Sequence, residues 1–429
     1  MPRSLRTSLF AIVLSAATCL TAQVPRSAYV LNTVGENLSV VNLETGTVTR
    51  NAVTLGVFAN EIVLDGERLF AVNSGLNEIQ VIDIGTLSTL RRIDTGSGTN
   101  PWGVDIVDGN TLVTSLLIPG EALFVDRASG QSVRTVPVGG GPQGVLVHDG
   151  RAYVANTGFN GSGYDPGVVS VIDLATYAVT AIPVSLNPQK LAVTADGRIA
   201  VACSGNYADV PGMLNIIDPA VGAVVDSAMT GIPVTWVAAN ALGQVYLGTY
   251  GFGLFVYNVV TGQWERDAGN LLPGGPGVAF DADNRAHVVD FAADSLRVFA
   301  PDHSRLAAYG VGDGPVSVAV YDPAATGLRP EPAGTAERFV LEQNWPNPFN
   351  PTTTIRFGLP AAGVVNLAVY DVLGRPVAGV LREEPLRAGW HEFTWDGRDD
   401  RGVPVASGVY LYRLRVGDRV ALRKMTLVR

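Results

Sequence analysis

Short apolar runs of four to seven residues, set off by turn residues and repeated with a period near forty, predict an all-β fold: a seven-bladed β-propeller followed by a small Ig-like β-sandwich. Three observations carry this. The first is the stretch from Pro142 to Ser185. Runs rich in Val, Ile, Tyr and Ala are broken there by Asp149-Gly150, by a glycine-rich loop and by Asp173. Such runs between such residues read as strands, and four of them make a sheet that needs copies of itself to bury both faces. The second is spacing. Pro101, Pro142, Pro188, Pro233, Pro276 and Pro315 stand near the starts of first strands, at steps of 41, 46, 45, 43 and 39 residues. The third concerns the ends. The repeat enters at Ala28 to Leu31, which matches a second strand, and the missing first strand appears at Val316 to Val320. The first blade is therefore expected to be completed from the far end of the chain, which leaves no open edge in the ring.

The chain begins with Arg3 and Arg6, an apolar run from Leu9 to Leu20 and Leu20-Thr21-Ala22. Charge, then about a dozen apolar residues, then small ones is the order of a signal peptide over residues 1–22, and the run is short for a membrane span. Cys19 raises a lipoprotein alternative, but Ala16-Ala17-Thr18 departs from the pattern such a site needs. No later stretch is long and apolar enough to span a bilayer as a helix. In the mature chain Cys203 is the one cysteine, which excludes an intrachain disulfide and a cysteine zinc site. The net charge is −9; from Phe339 onward it is +3, and the remainder carries −12. An acidic main body argues against nucleic acid and against anionic membranes.

Second strands follow at Leu69 to Val72, Leu112 to Ser115, Ala152 to Ala155, Ile199 to Ala202, Val245 to Gly248 and Ala286 to Val289. Third strands end in Asn or Asp in every repeat but the last: Asn42, Asp83, Asp126, Asp173, Asp218 and Asn258. A residue that recurs so regularly is a turn former rather than a metal ligand, because its side chain accepts hydrogen bonds from the backbone two or three residues on. The stretches RAYVANTG, VVSVIDLATYAVTAIPVS and NPQKLAVTADGRIAVA resemble the YVTN-type β-propeller repeat family over 27–323. That resemblance implies the propeller; it implies a secreted or surface protein as readily as an enzyme.

Residues 324–338, rich in Pro, Gly and Ala, read as a linker, and 339–429 as a second domain. Strands are expected at Thr354 to Phe357, Val364 to Tyr370, Trp390 to Trp395, Gly408 to Val416 and Leu422 to Leu427. Asp396 to Asp400 reads as a solvated hairpin turn, and Glu383-Glu384 as a solvated loop. NWPNPFNPTTTIRFGLP, VYDVLGRPV, WDGRDDRGVPVASGVYLYRL and RKMTLVR resemble two overlapping families, the type A sorting domain of the type IX secretion system and the FlgD-type Ig-like domain. The resemblance implies a partner for the tail, either export machinery or a cell-surface component, and a place outside the bacterial cell.

For chemistry the sequence is sparing. None of His148, His287, His303 and His391 forms a spaced metal-binding pair, and no phosphate loop opens a helix. His148 and His303 are expected in solvated turns and His287 packed in a strand. No catalytic residue, metal site or cofactor is expected. One asymmetry points to a site. Loops between second and third strands open at the same end as the links between blades, and two of them are long, at 157–167 and 204–212. Elaborated loops on a rigid scaffold are where binding sits. They carry Tyr164, Asp165, Asn206, Tyr207 and Asp209, and the starts of first strands facing them carry Trp102, Gln143, Gln189, Lys190 and Trp236. Rings beside amides and carboxylates suit a glycan, a peptide or a small molecule. A propeller-type lyase or quinone- or metal-dependent oxidoreductase, and a purely structural surface-layer or adhesion component, are the alternative readings.

Overall fold

The computed structural model describes residues 24–323, 339–341, 344, 347, 349–371, 375–386, 389–417 and 419–428. The leader expected at 1–22 and the linker expected at 324–338 lie outside the described residues. Apart from one 3-10 turn at Ser74–Leu76, the described secondary structure is strand.

Between Ser27 and Tyr321 the strands sort into seven four-stranded antiparallel sheets. Second and third strands are buried almost throughout, as in Gln244–Gly248, whereas fourth strands such as Ser132–Pro137 are largely exposed. The cause is stacking. Each apolar cluster joins neighbouring sheets, so that Phe70, Val72 and Ile79 pack against Val104, Leu112 and Leu123. Covered on both faces, the middle strands read as continuous apolar runs. The innermost strands are Pro315–Tyr321, Ala59–Asp65, Pro101–Ile106, Pro142–His148, Pro188–Val193, Trp236–Ala239 and Val278–Phe280. Each touches the next, and the last touches the first, which closes a ring. Sheets set radially around an axis in this way are a β-propeller.

Closure uses both ends of the chain. Ser27–Asn32 pairs with Asn37–Asn42 on one side and with Pro315–Tyr321 on the other, with Val30 opposite Val318. An ionic cluster lies beside this join. Arg26 Nη2 is 2.9 Å from Asp281 Oδ2, and its Nε is 3.1 Å from Asp322 Oδ2. The same Asp281 oxygen meets Arg285 Nε at 2.8 Å and His287 Nε2 at 2.9 Å. Burial alone would raise the Asp281 pKa, but hydrogen bonds from His287 and Arg285 hold it far below the usual carboxylate range.

The recurrent Asn and Asp residues make turns. Asn42 Oδ1 accepts from the backbone N–H of Glu44 and of Thr45, both at 2.9 Å, and Asp173 Oδ1 from Ala175 at 3.0 Å and Thr176 at 2.8 Å. At Asp149-Gly150 both residues have positive φ, +45° and +71°, the backbone of a tight hairpin turn.

Three expectations are corrected. His148 is not in a solvated turn. It ends the inner strand Pro142–His148 and is buried, because the turn begins one residue later. His303 does lie in a turn, at φ +71°, but its ring is covered: Nδ1 accepts from Arg266 Nε at 3.2 Å, and Nε2 is 3.4 Å from Glu265 Oε2. Burial, then the Arg266 charge, lowers its pKa. In the tail, Glu383-Glu384 lies in an eleven-residue strand, Pro376–Leu386, not in a loop. Register shifts along that strand break the alternation that would have marked it.

The tail forms two sheets among the described residues. One holds Val340–Leu341, Thr353–Leu359 and Gly389–Trp395; the other holds Pro376–Leu386, Gly363–Asp371, Gly408–Val416 and Arg419–Leu427. They share a core that includes Phe349, Phe357, Trp395, Tyr412 and Met425. Asp396 to Asp400 lies where the chain passes from one sheet to the other, after Trp395 and before Gly408, and it forms a short hairpin there: Arg398 bridges Pro404, and the Val405 N–H donates to the Gly397 carbonyl at 3.0 Å.

Candidate functional site

The inner strands set the site. Ala59, Pro101, Pro142 and Pro188 each open one, and the third residue of each is Glu61, Gly103, Gly144 and Lys190. At this level neighbouring sheets approach closely. A Cβ on Gly103 would lie 2.4 Å from the Gln143 carbonyl oxygen, and one on Gly144 2.6 Å from that of Gln189. Only glycine fits there. Gly103 and Gly144 thus hold no side chain in the two sheets that separate Glu61 from Lys190.

Glu61 and Lys190 are 129 positions apart, and their side chains meet in an ion pair in which Lys190 Nζ donates to Glu61 Oε1. Both are nearly buried. The Lys190 ammonium also lies 4.9 Å from the centroid of the Trp236 ring, within range of a cation–π attraction. Burial raises the Glu61 pKa, and the Lys190 charge opposes the shift.

Beside this pair lies a cavity of ≈ 1250 Å³. No residue past the third position of any inner strand lines it, so it belongs to the loop end. Of the residues singled out from the sequence, Trp102, Gln143, Tyr164, Gln189, Lys190, Tyr207 and Trp236 line this one cavity. Asp165, Asn206 and Asp209 do not. Asp165 accepts from Asn160 Nδ2 at 3.0 Å; Asn206 Nδ2 donates to Asp209 Oδ1 at 2.7 Å, while Asn206 Oδ1 accepts from the backbone of Ala208 and Val210. These three shape the long loops rather than face the cavity.

The loops bring rings together. Phe159 and Tyr164 have centroids 5.5 Å apart, and Tyr164 and Tyr207, from adjacent sheets, 6.5 Å apart. Burial raises the Tyr164 pKa, with Tyr207 adding to the shift, and burial likewise raises that of Tyr250, so both stay phenols at neutral pH. Tyr207 is 55% exposed and sits at φ +60°, a backbone that costs a side-chain-bearing residue about 1–2 kcal/mol. Gln189 Nε2 donates to Asn187 Oδ1 at 2.5 Å. The Thr235 hydroxyl, at the cavity wall, is buried with no hydrogen-bond partner among the described residues.

Sequence reasoning missed Glu61, Phe159, Tyr250 and Phe252, all at the cavity. Glu61 was findable. It holds the third position of its strand, as Lys190 does, but Ala59 stands where other blades carry proline. Tyr250 and Phe252 lie in a short loop, Thr249 to Gly253, that loop length alone passes over.

Residues 347–418 match the model of the FlgD Ig-like domain family. No curated protein matches the chain significantly. Among solved structures the chain is similar to a functionally unknown protein from Desulfotomaculum acetoxidans, with a TM-score of 0.56 and 13% identity over 69% of this chain and 99% of that one. It is also similar to the hydrazine synthase of Kuenenia stuttgartiensis, with a TM-score of 0.53 and 17% identity over 60% of this chain and 88% of the other. A quinoprotein alcohol dehydrogenase-like protein from Bacteroides thetaiotaomicron gives a TM-score of 0.50 and 13% identity over 68% and 77%. At such identities the likeness is one of fold. The chain is a β-propeller whose C-terminal part carries a segment that matches the FlgD Ig-like domain.

Proposed function

We propose that this chain is an exported, surface-displayed binding protein: a seven-bladed propeller of the YVTN type that holds a glycan, peptide or small molecule at its loop end. The observation that carries the reading is the cavity itself, lined by aromatic residues from several sheets beside a buried ion pair. Pockets of mostly apolar wall with a few placed polar groups are the usual form of a binding site. The reading needs no cofactor. Export rests on the order of charge and apolar residues in 1–22 and on the tail's likeness to sorting and FlgD-type Ig-like modules.

A glycan and peptide array probed with the full chain tests the binding reading, followed by calorimetry on whichever ligand is captured. Tyr207→Ala should weaken binding by about 2 kcal/mol, because it truncates an aromatic anchor. Asp173→Ala should leave affinity unchanged and lower stability, because Asp173 makes a turn. A captured ligand insensitive to Tyr207→Ala but lost in a normally melting Asp173→Ala variant overturns the assignment. Turnover of the ligand, followed by mass spectrometry, would move the protein to the propeller-type lyases or oxidoreductases. For export, a chain ending at Arg338 should stay in the periplasm of a host with type IX secretion while binding as before. Unchanged surface display of that chain removes the sorting role.

A further inference from the structure

We propose that the ligand of this cavity is a neutral oligosaccharide. The inference rests on the binding reading above and narrows it. Charge is the first argument. Of the residues lining the cavity, only Glu61 and Lys190 carry charge at neutral pH, and they are paired with each other. The wall is therefore neutral overall, and its tyrosines add hydroxyls rather than charge. An anionic ligand would have to draw Lys190 away from Glu61 and Trp236, which leaves a buried carboxylate unpaired; a cation would do the reverse. A neutral ligand can use the pair as it stands.

Shape is the second argument. Trp102, Tyr164, Tyr207 and Trp236 bring aromatic rings to the lining, while Gln143 and Gln189 bring amide donors and acceptors. A pyranose has this pattern in reverse, with flat C–H faces and a rim of hydroxyls. The rings supply rigid apolar faces with polar edges at Tyr and Trp, and the amides can both give and accept. Size is the third. Sites for single small ligands run to about 300–1,000 Å³. A cavity of ≈ 1250 Å³ takes several linked units.

The test is calorimetry on the full chain with named probes: neutral hexasaccharides of β-1,4-linked glucose, xylose and mannose, a hexa-uronate of matching length, and a neutral hexapeptide of proline and asparagine. At least one neutral sugar should bind, the hexa-uronate and peptide should not, and Tyr207→Ala should weaken the sugar about thirtyfold. Glu61→Gln leaves Lys190 unpaired and should gain binding of the hexa-uronate; thermal melting checks that this variant folds. Binding of the hexa-uronate or the peptide in preference to every neutral sugar, or no binding of any neutral sugar, overturns the inference. The outcomes separate. If a charged ligand or a peptide binds and is lost in Tyr207→Ala, the cavity is the site and its ligand is not a neutral sugar. If no ligand captured on the array responds to Tyr207→Ala, the cavity reading falls as well.

Discussion

A chain ending at Gly310 should fail to form the propeller at all, while a chain ending at Arg338 should melt cooperatively as a folded body. The two differ by the strand Pro315–Tyr321, which supplies the inner edge of the first sheet. Its loss removes Val316, Val318 and Tyr321, each buried, and the contacts they make. At about 1.5–3 kcal/mol per large apolar side chain, these three contribute about 5–9 kcal/mol. Total stabilities run to about 5–15 kcal/mol, so the deficit is most of what a domain has. The loss also strips the ladder partners from Ser27–Asn32, whose Tyr29, Val30 and Leu31 are buried. Circular dichroism melts of both chains decide the matter. A Gly310 chain that melts at the temperature of the Arg338 chain would falsify closure by the far end.

Asp281→Ala should cost about 3–5 kcal/mol, the range for breaking a buried charge pair from one side. Arg26, Arg285 and His287 would all lose the oxygen they converge on. Exposed Glu44→Ala is the control and should stay within about 0.5 kcal/mol. The pH dependence follows from the sign of the shift. The folded pKa of Asp281 is depressed, so its stabilisation is complete above the ordinary carboxylate value of about 3.9 and is lost as pH falls toward the folded value. Asp281→Asn should therefore show a shallower loss of stability in acid than the parent. Denaturant melts at a series of pH values measure both quantities. Equal stability of Asp281→Ala and parent at neutral pH would remove the cluster from any role in closure.

The fold was legible because a repeat states the same thing many times. One turn of Asn or Asp proves little, but the same residue type at the end of six third strands separates turn chemistry from metal chemistry. The far-end strand was legible for a related reason: a pattern that begins out of phase must be completed elsewhere. The tail was read less well. Pro376–Leu386 is shifted in register against its partner at several points, so its apolar residues do not alternate. The Asp396 to Asp400 segment has turn residues whichever strands it joins, and nothing local says that Gly389–Trp395 and Gly408–Val416 belong to different sheets. In the site, position along the strand predicted which residues line the cavity better than loop membership did. Trp102, Gln143, Gln189, Lys190 and Trp236 all reach it, whereas of the five loop residues singled out only Tyr164 and Tyr207 do. Loop polar groups satisfy their own backbone first, as Asn206 does with Ala208 and Val210. The meeting of Glu61 and Lys190 was not legible, since it depends on two strands 129 positions apart facing one another.

That meeting also fixes traffic. A propeller is in principle a tube, open at both rims, through which a small solute could pass. Here the lining reaches no deeper than the third residue of any inner strand, and an acid and a base join hands at that depth. For a solute entering at the loop end, that pair stands at the deepest level the cavity reaches. A guest held there passes the exposed rings of Phe159, Tyr207, Tyr250 and Phe252, from three adjacent blades, on entering and on leaving by the loop end. Changes at those four rings should then move the on-rate and the off-rate together, while changes at the deeper ion pair should move chiefly how long the guest stays.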